Sequence, residues 1–122
     1  MATVMIVDNE LFTVKIVKKI LAAAGHKAVG ASSAKECLEK VRAELPDLIL
    51  MDIMMPEMSG WDAVKQIRAD PNLKTVKILM LSAKQKEADQ ELLKLSQGFM
   101  TKPFMRNELL AKVDEMLSGP PP

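Results

Sequence analysis

The sequence predicts an α/β domain of the doubly wound, flavodoxin-like kind: a parallel sheet in the order 2-1-3-4-5, with five strands alternating with five helices in a three-layer sandwich. Three observations carry this. Residues 4–7, 48–51 and 78–81 are short, unbroken apolar runs, and continuous hydrophobicity marks strands covered on both faces. Each run ends in a polar residue, Asp8, Asp52 or Ser82, and leads into a longer stretch of helical period, which is βα repetition. Right-handed crossovers then leave few other arrangements.

Taken in order, the first strand leads through Asp8 and Asn9 to a helix with an apolar stripe of Val14, Val17, Ile20 and Leu21,. That helix stops at Gly25, a residue suited to a left-handed C-terminal cap. Residues 28–31 make a weak second strand. Ser33 followed by Glu36 reads as a capping box for a second helix carrying Cys37, Leu38 and Val41,. It has to end before Pro46, because proline disfavours helical geometry in the residue before it. The third strand ends at Asp52. A third helix over residues 60–69 turns Val64 and Ile67 inward, with Trp61 partly exposed at its start, and Asp70, Pro71 and Asn72 close it. A fourth helix is expected over residues 86–95, with Leu92, Leu93 and Leu95 apolar. Residues 98–101 form a short fifth strand, and a last helix over 108–117 ends at Gly119. The domain is expected to span residues 1–118, with a proline-rich tail at 119–122.

A length of 122 residues suits one domain with its own core,. Hydrophobic residues at 48% and charged residues at 27% are the composition of a soluble globular protein,. With 17 basic and 16 acidic residues spread along the chain, no block of charge exists to track a nucleic-acid backbone or an anionic membrane. The apolar runs are too short to span a bilayer, and residues 1–7 lack the basic start of a secretory signal, so a cytoplasmic location is expected. Cys37, the single cysteine, cannot form an internal disulfide and is expected to be a buried small hydrophobe,. His26, the single histidine, is expected in a surface turn at the opposite edge of the sheet from Asp52. Met5, Met51 and Met80 read as core, whereas Met54, Met55 and Met58 surround the loop after the third strand.

In such a sheet, ligands gather beyond the carboxyl ends of the strands where strand order reverses, here between the first and third. Asp8, Asn9 and Asp52 meet there. Two carboxylates in a shielded crevice repel each other, and a divalent cation relieves the repulsion; Mg²⁺ suits, since it needs only one or two protein carboxylates. Ser82 ends the fourth strand and Lys102 follows the fifth, so a hydroxyl and an ammonium flank Asp52. That set is a phosphoryl-transfer site in miniature. Singly, each residue has a plainer reading as a cap or a surface lysine. Their conjunction on one sheet edge is what points to chemistry.

Residues 46–60, PDLILMDIMMPEMSG, and 101–104, TKPF, resemble the phosphorylation and closing motifs of CheY-like receiver domains of response regulators in two-component signalling. The resemblance covers nearly the whole chain. It implies that Asp52 accepts the phosphoryl group, that Asp8 holds Mg²⁺ through water, and that the backbone carbonyl of Met54 is another ligand. It also implies that Lys102, joined to Pro103 by a cis bond, pairs with the phosphoryl group, that Ser82 moves to hydrogen-bond it, and that Phe99 follows inward. Gly60 would be the turn residue closing the loop.

Two departures from the family pattern carry consequences. Asn9 stands at the second acidic position, normally the direct metal ligand, so weakened Mg²⁺ binding is expected. The stretch between Ser82 and Phe99 is shorter than usual, with Leu95 and Ser96 where the family favours Gly-Ala. The resemblance implies a stand-alone phosphoacceptor, not an enzyme beyond its own aspartyl phosphorylation and dephosphorylation. Its expected partners are a sensor histidine kinase or histidine phosphotransfer protein and a downstream protein docking on the fourth helix, fifth strand and fifth helix; the chain itself is expected as a monomer or weak dimer. A haloacid-dehalogenase-like phosphatase would need an Asp where Met54 stands, and a flavodoxin would need a phosphate-cradling loop where Asp8, Asn9, Glu10 and Leu11 stand. The alternative that remains is a degenerate receiver, a binding module independent of phosphorylation, which Asn9 favours.

Overall fold

The unbroken apolar runs become the central strands of one sheet. In the computed structural model, which describes residues 2–83 and 94–120, β1 (Thr3–Val7), β2 (Lys27–Ala31), β3 (Leu48–Asp52), β4 (Lys77–Ser82) and β5 (Gly98–Thr101) pair in parallel in the order β2-β1-β3-β4-β5. Every residue of β3 is buried, because both of its faces are covered. Side chains alternate across a strand, and the two faces build separate cores. Met5, Val7, Ile49, Met51, Ile78 and Met80 pack on the side of α2 (Ala34–Glu44) and α3 (Gly60–Ala69). Val4, Ile6, Leu48, Leu50, Leu79 and Leu81 pack on the side of α1 (Leu11–Ala23) and the C-terminal helix α4 (Arg106–Ser118).

The helix ends follow from local chemistry. Gly25 adopts φ 92 and, with His26, returns backbone N–H groups to Ala22 and Leu21 at 3.0 Å each, the paired bonds of a Schellman motif. The Ser33 hydroxyl accepts from Glu36 N at 3.0 Å, as the capping box requires. The reciprocal bond differs from expectation. The Glu36 carboxylate reaches one residue further back, accepting from Ser32 N at 2.5 Å and Ser32 Oγ at 3.1 Å. The Ser32 backbone bond lowers the Glu36 pKa against the opposing effect of burial. A full box forms instead at α3, where Ser59 and Asp62 exchange bonds, an S-x-x-D pattern that the sequence reading passed over. At the far end of α4, Lys77 Nζ donates to the carbonyls of Met116 and Gly119 at 2.7 Å each, satisfying orphan acceptors with a cation.

Two expectations about buried and exposed residues divide. Cys37 is fully buried, and burial pushes its thiol up to about 12. Trp61, expected to be partly exposed, is only 7% exposed, and its Nε1–H finds no acceptor. The indole fills the α2/α3 core together with Val64 and Ile67, and apolar burial over the ring outweighs the unpaired donor. The fourth helix expected over residues 86–95 lies outside the described residues, apart from Lys94 and Leu95, which form a turn. The last helix begins at Arg106, two residues before its expected start at Glu108.

Leu45 ends α2 in the left-handed region, φ 45, although it is 60% exposed and stands before a proline. An L-residue with a branched side chain is strained there by about 1–2 kcal/mol, whereas asparagine tolerates it. Leu45→Asn is therefore expected to stabilise the fold by about 0.5–1 kcal/mol. The measurement is the urea midpoint at unchanged slope; a lower midpoint would mean that the covered part of the leucine outweighs the strain.

Candidate functional site

Alternation along the strands decides where the polar strand ends point. Asp8 continues the Val4, Ile6 series of β1, Asp52 the Leu48, Leu50 series of β3, and Lys102 follows Met100 on β5; all these apolar residues belong to the α1/α4 core. Continuing the same period, three charged side chains leave the carboxyl edge of the sheet on one side. Ser82 follows the opposite series, Ile78 and Met80, on β4. Backbone bonds carry the ladder past the strand ends. Asp8 N donates to Ala31 O at 3.1 Å, Ile53 N to Leu81 O at 3.0 Å, and Lys102 N to Ser82 O at 2.7 Å.

Lys102 is the centre of the arrangement. Its Nζ lies 2.5 Å from Asp8 Oδ2 and 3.5 Å from Asp52 Oδ1. Asp8 is fully buried and Asp52 is 5% exposed, so two shielded carboxylates converge on one ammonium. Burial by itself pulls the Lys102 pKa down. The hydrogen bond to Asp8 and the charges of Asp52 and Asp8 overcome that, and the net shift is upward. The other Asp8 oxygen, Oδ1, accepts from Glu10 N at 2.9 Å. That turn, in which an aspartate accepts from the backbone two residues on, is a pattern aspartates favour, and the sequence reading did not single it out.

The loop after β3 is shaped by a close approach. The left-handed residue in this loop is Glu57, φ 67, while Gly60 has no positive φ. Gly60 matters for a different reason. A Cβ built on it would fall 2.0 Å from the backbone oxygen of Asp52, so the start of α3 packs directly against the end of β3, and Gly60 N donates to Ile53 O at 2.9 Å.

The remaining predicted residues are distributed around this centre. Ser82 is fully buried. The peptide bond between Lys102 and Pro103 is cis. Phe99 is partly buried against the α2/α3 core. Asn9 is exposed, and the Met54 side chain is 63% exposed. His26 lies at the amino end of the sheet, its Nδ1 accepting from Ala2 N at 3.3 Å.

Of the predicted oxygen ligands for a hard cation, Asp8 and Asp52 are brought together at Lys102, while Asn9 is exposed just beyond β1 and Met54 lies in the loop after β3. The ammonium held between Asp8 and Asp52 is evidence that their field suits a cation at this position. The set is lean in charge. Among the described residues, no group of three or more His, Cys, Asp or Glu could hold a metal, but Mg²⁺ binding needs only one or two carboxylates. The donors therefore fit Mg²⁺, with less negative charge than a third carboxylate would provide. No described helix is long and apolar enough to cross a membrane.

Comparison with known proteins agrees with this geometry. The chain is 37% identical over 116 residues to the alkaline phosphatase synthesis transcriptional regulatory protein PhoP of Bacillus subtilis, covering 93% of this chain and 48% of that protein. It spans about half of that relative's length. It is 36% identical over 117 residues to the chemotaxis protein CheY of Thermotoga maritima, covering 93% of this chain and 95% of that one. The structure superposes on the response regulator protein TrrA of T. maritima in complex with Mg²⁺-BeF with a TM-score of 0.87 at 28% identity, covering 96% of this chain and all of that one. The sequence profile of the response regulator receiver domain matches residues 4–114, nearly everything from the first strand to the last helix, and the chain belongs to that family.

Proposed function

We propose that this receiver domain takes a phosphoryl group onto Asp52 from a phosphohistidine, in a reaction that requires Mg²⁺, and passes the signal to a partner protein by a change of conformation. The observation that carries the reading is the convergence of Asp8, Asp52 and Lys102 at the switch point of the sheet, where ligands of such folds bind. In the transfer, an Asp52 carboxylate oxygen attacks phosphorus. The phosphorus–nitrogen bond breaks, its electron pair stays with the departing imidazole, and a phosphorus–oxygen bond to Asp52 forms. Lys102 neutralises charge on the equatorial oxygens, and the Ser82 hydroxyl donates to one of them. Mg²⁺ bound by Asp8, Asn9, Asp52 and the Met54 carbonyl would supply further neutralisation there. Ser82 and Phe99 lie on adjacent strands, β4 and β5, so a shift of the hydroxyl can be relayed to the aromatic ring, and only a two-state element of this kind can carry a local charge to a distant surface.

The protein acts in this reading as a cytoplasmic phosphorylation switch. A sensor histidine kinase or histidine phosphotransfer protein supplies the phosphoryl group, and the switch promotes only its own aspartyl phosphorylation and dephosphorylation. Intact-protein mass after incubation with acetyl phosphate and Mg²⁺ tests it. Wild type should gain the mass of one phosphoryl group, and Asp52→Asn should gain none. Equal labelling of the variant would place the acceptor elsewhere, and no labelling of wild type would favour the phosphorylation-independent binding module.

Asn9 is expected to set the metal affinity. A carboxamide keeps a coordinating oxygen but removes one charge, and a unit-charge pair at about 4 Å is worth roughly 4 kcal/mol at an effective dielectric near 20. Relief of repulsion among the carboxylates and the waters retained by Mg²⁺ offset much of that, leaving about 1–3 kcal/mol. Asn9→Asp should thus bind Mg²⁺ roughly tenfold to a hundredfold tighter. Titration followed by fluorescence of Trp61, buried one residue beyond Gly60, reads this out; equal affinities would remove Asn9 from the metal site.

A further inference from the structure

One charged side chain outside the site lacks the counter-ion that its burial calls for. Arg68, in the last turn of α3, is half-buried, and burial pulls its pKa down. Among the described residues no carboxylate pairs with it. Its guanidinium is held by neutral oxygens. Nε donates to Leu95 O at 2.8 Å, Nη1 to Val76 O at 2.8 Å and Lys74 O at 3.4 Å, and Nη2 to Gln97 Oε1 at 2.7 Å. A shielded charge without an ionic partner is a poor source of stability. What the planar fork of donors supplies is geometry, and here it ties together α3, the turn entering β4 and the turn entering β5.

The stretch that Arg68 holds leads straight to the switch residues. Gln97 extends the β4/β5 ladder by one step, its backbone N donating to Ile78 O at 2.8 Å and its side-chain Oε1 accepting from Ile78 N at 2.8 Å. Side chains repeat every second residue on one face of a strand. Gln97 and Phe99 therefore stand beside Ile78, Met80 and Ser82 of β4, on the face that α3 covers. Leu95 and Phe99 both pack, half-buried, against the α2/α3 core. One guanidinium thus sets how closely the amino end of β5 approaches α3, and Phe99 lies two residues further along.

We propose that Arg68 is a positioning residue of the switch: by fastening Leu95 and Gln97 to α3 and to the entry of β4, it keeps Phe99 packed inward and so favours the arrangement in which Ser82 reaches the phosphoryl group. The inference rests on the phosphoacceptor reading given above and adds a regulatory contact at the opposite end of β5 from Lys102. The coupling is thermodynamic. A contact that favours the inward ring tightens phosphoryl binding by the same factor by which phosphoryl binding favours the inward ring.

The test uses the full chain labelled with 4-fluorophenylalanine. Its three phenylalanines give three ¹⁹F signals, that of Phe99 being the one missing from Phe99→Leu. Beryllofluoride at saturating Mg²⁺ serves as the phosphoryl mimic, and Mg²⁺ affinity alone, followed by Trp61 fluorescence, reports on the metal site. Arg68→Met should move the Phe99 signal of the free protein toward its position in the unfolded chain and weaken beryllofluoride binding about tenfold, with Mg²⁺ affinity unchanged. Beryllofluoride affinity that is unaltered, that rises, or that falls only in step with Mg²⁺ affinity would show that the guanidinium serves the fold alone, and the phosphoacceptor reading would stand. If Arg68→Met does not fold, Gln97→Glu decides. It keeps the acceptor and makes the bond from Arg68 an ion pair, so beryllofluoride should bind tighter than to wild type, and equal or weaker binding overturns the proposal. If wild type binds no beryllofluoride in the presence of Mg²⁺, both readings fail.

Discussion

Replacing Lys102 by methionine is expected to destabilise the metal-free protein by about 2–3 kcal/mol at neutral pH. Removing one partner of a buried ion pair leaves an uncompensated charge and typically lowers stability by about 3–5 kcal/mol, and the side chain's 19% exposure places this case below that range,. Two carboxylates lose this ammonium rather than one, Asp8 at 0% and Asp52 at 8% side-chain exposure. The pH dependence follows from the upward shift of Lys102. A group whose folded-state pKa lies above its unfolded value contributes stability that is fully present below the unfolded value, and the contribution is lost as pH rises through the folded one. The wild-type advantage should therefore be constant up to the usual lysine value of 10.5 and shrink above it. Urea unfolding of both proteins in chelator, from neutral to strongly alkaline pH, measures this. Equal stability at neutral pH, or an advantage that grows in alkali, would show that the ammonium does not hold the two carboxylates together.

Gly60→Ala is expected to damage the site more than any other single methyl group. The added carbon would meet the Asp52 carbonyl oxygen at 2.0 Å and the carbonyl carbon and Met51 Cγ at 3.0 Å. Two of these are backbone atoms of a central strand, so a rotamer change cannot relieve the clash. Either α3 moves outward, opening the core around Val64 and Ile67, or the peptide after Asp52 rotates away. Overpacking of this kind destabilises by about 1–3 kcal/mol, and a backbone clash belongs at or above the top of that range. Displacing a reacting carboxylate by about 1 Å can slow chemistry by roughly a hundredfold. Urea midpoints and the rate of acetyl phosphate labelling should therefore both fall. A variant that matches wild type in both would mean that the loop absorbs the methyl group without moving Asp52.

Much of the site was legible in advance because its parts are punctuation marks in a regular pattern. Asp8, Asp52 and Ser82 each stand where an apolar run stops, Lys102 follows the fifth strand, and a parallel βα sheet brings all such strand ends to one edge,. The expected order β2-β1-β3-β4-β5, the span of α3 and the glycine cap of α1 likewise follow from local period and local backbone preference, which a short window of sequence contains,.

The sequence by itself determined which residues end the strands, which face of each helix is apolar, and hence the fold and the company Asp52 keeps. Only the tertiary structure decided how those residues touch. Lys102 and Asp8 are 94 positions apart, and nothing in the surroundings of either one says that the ammonium will sit 2.5 Å from Asp8 and 3.5 Å from Asp52. Trp61 looked like a residue at a helix start and is core, because α3 leans on β3 closely enough to shut the ring in. That Gly60 is a point of close contact with β3 has the same origin. Period and capping are encoded over a few residues, whereas close approach, pairing and surface patches are properties of segments distant in sequence, and they exist only once the chain has brought those segments together.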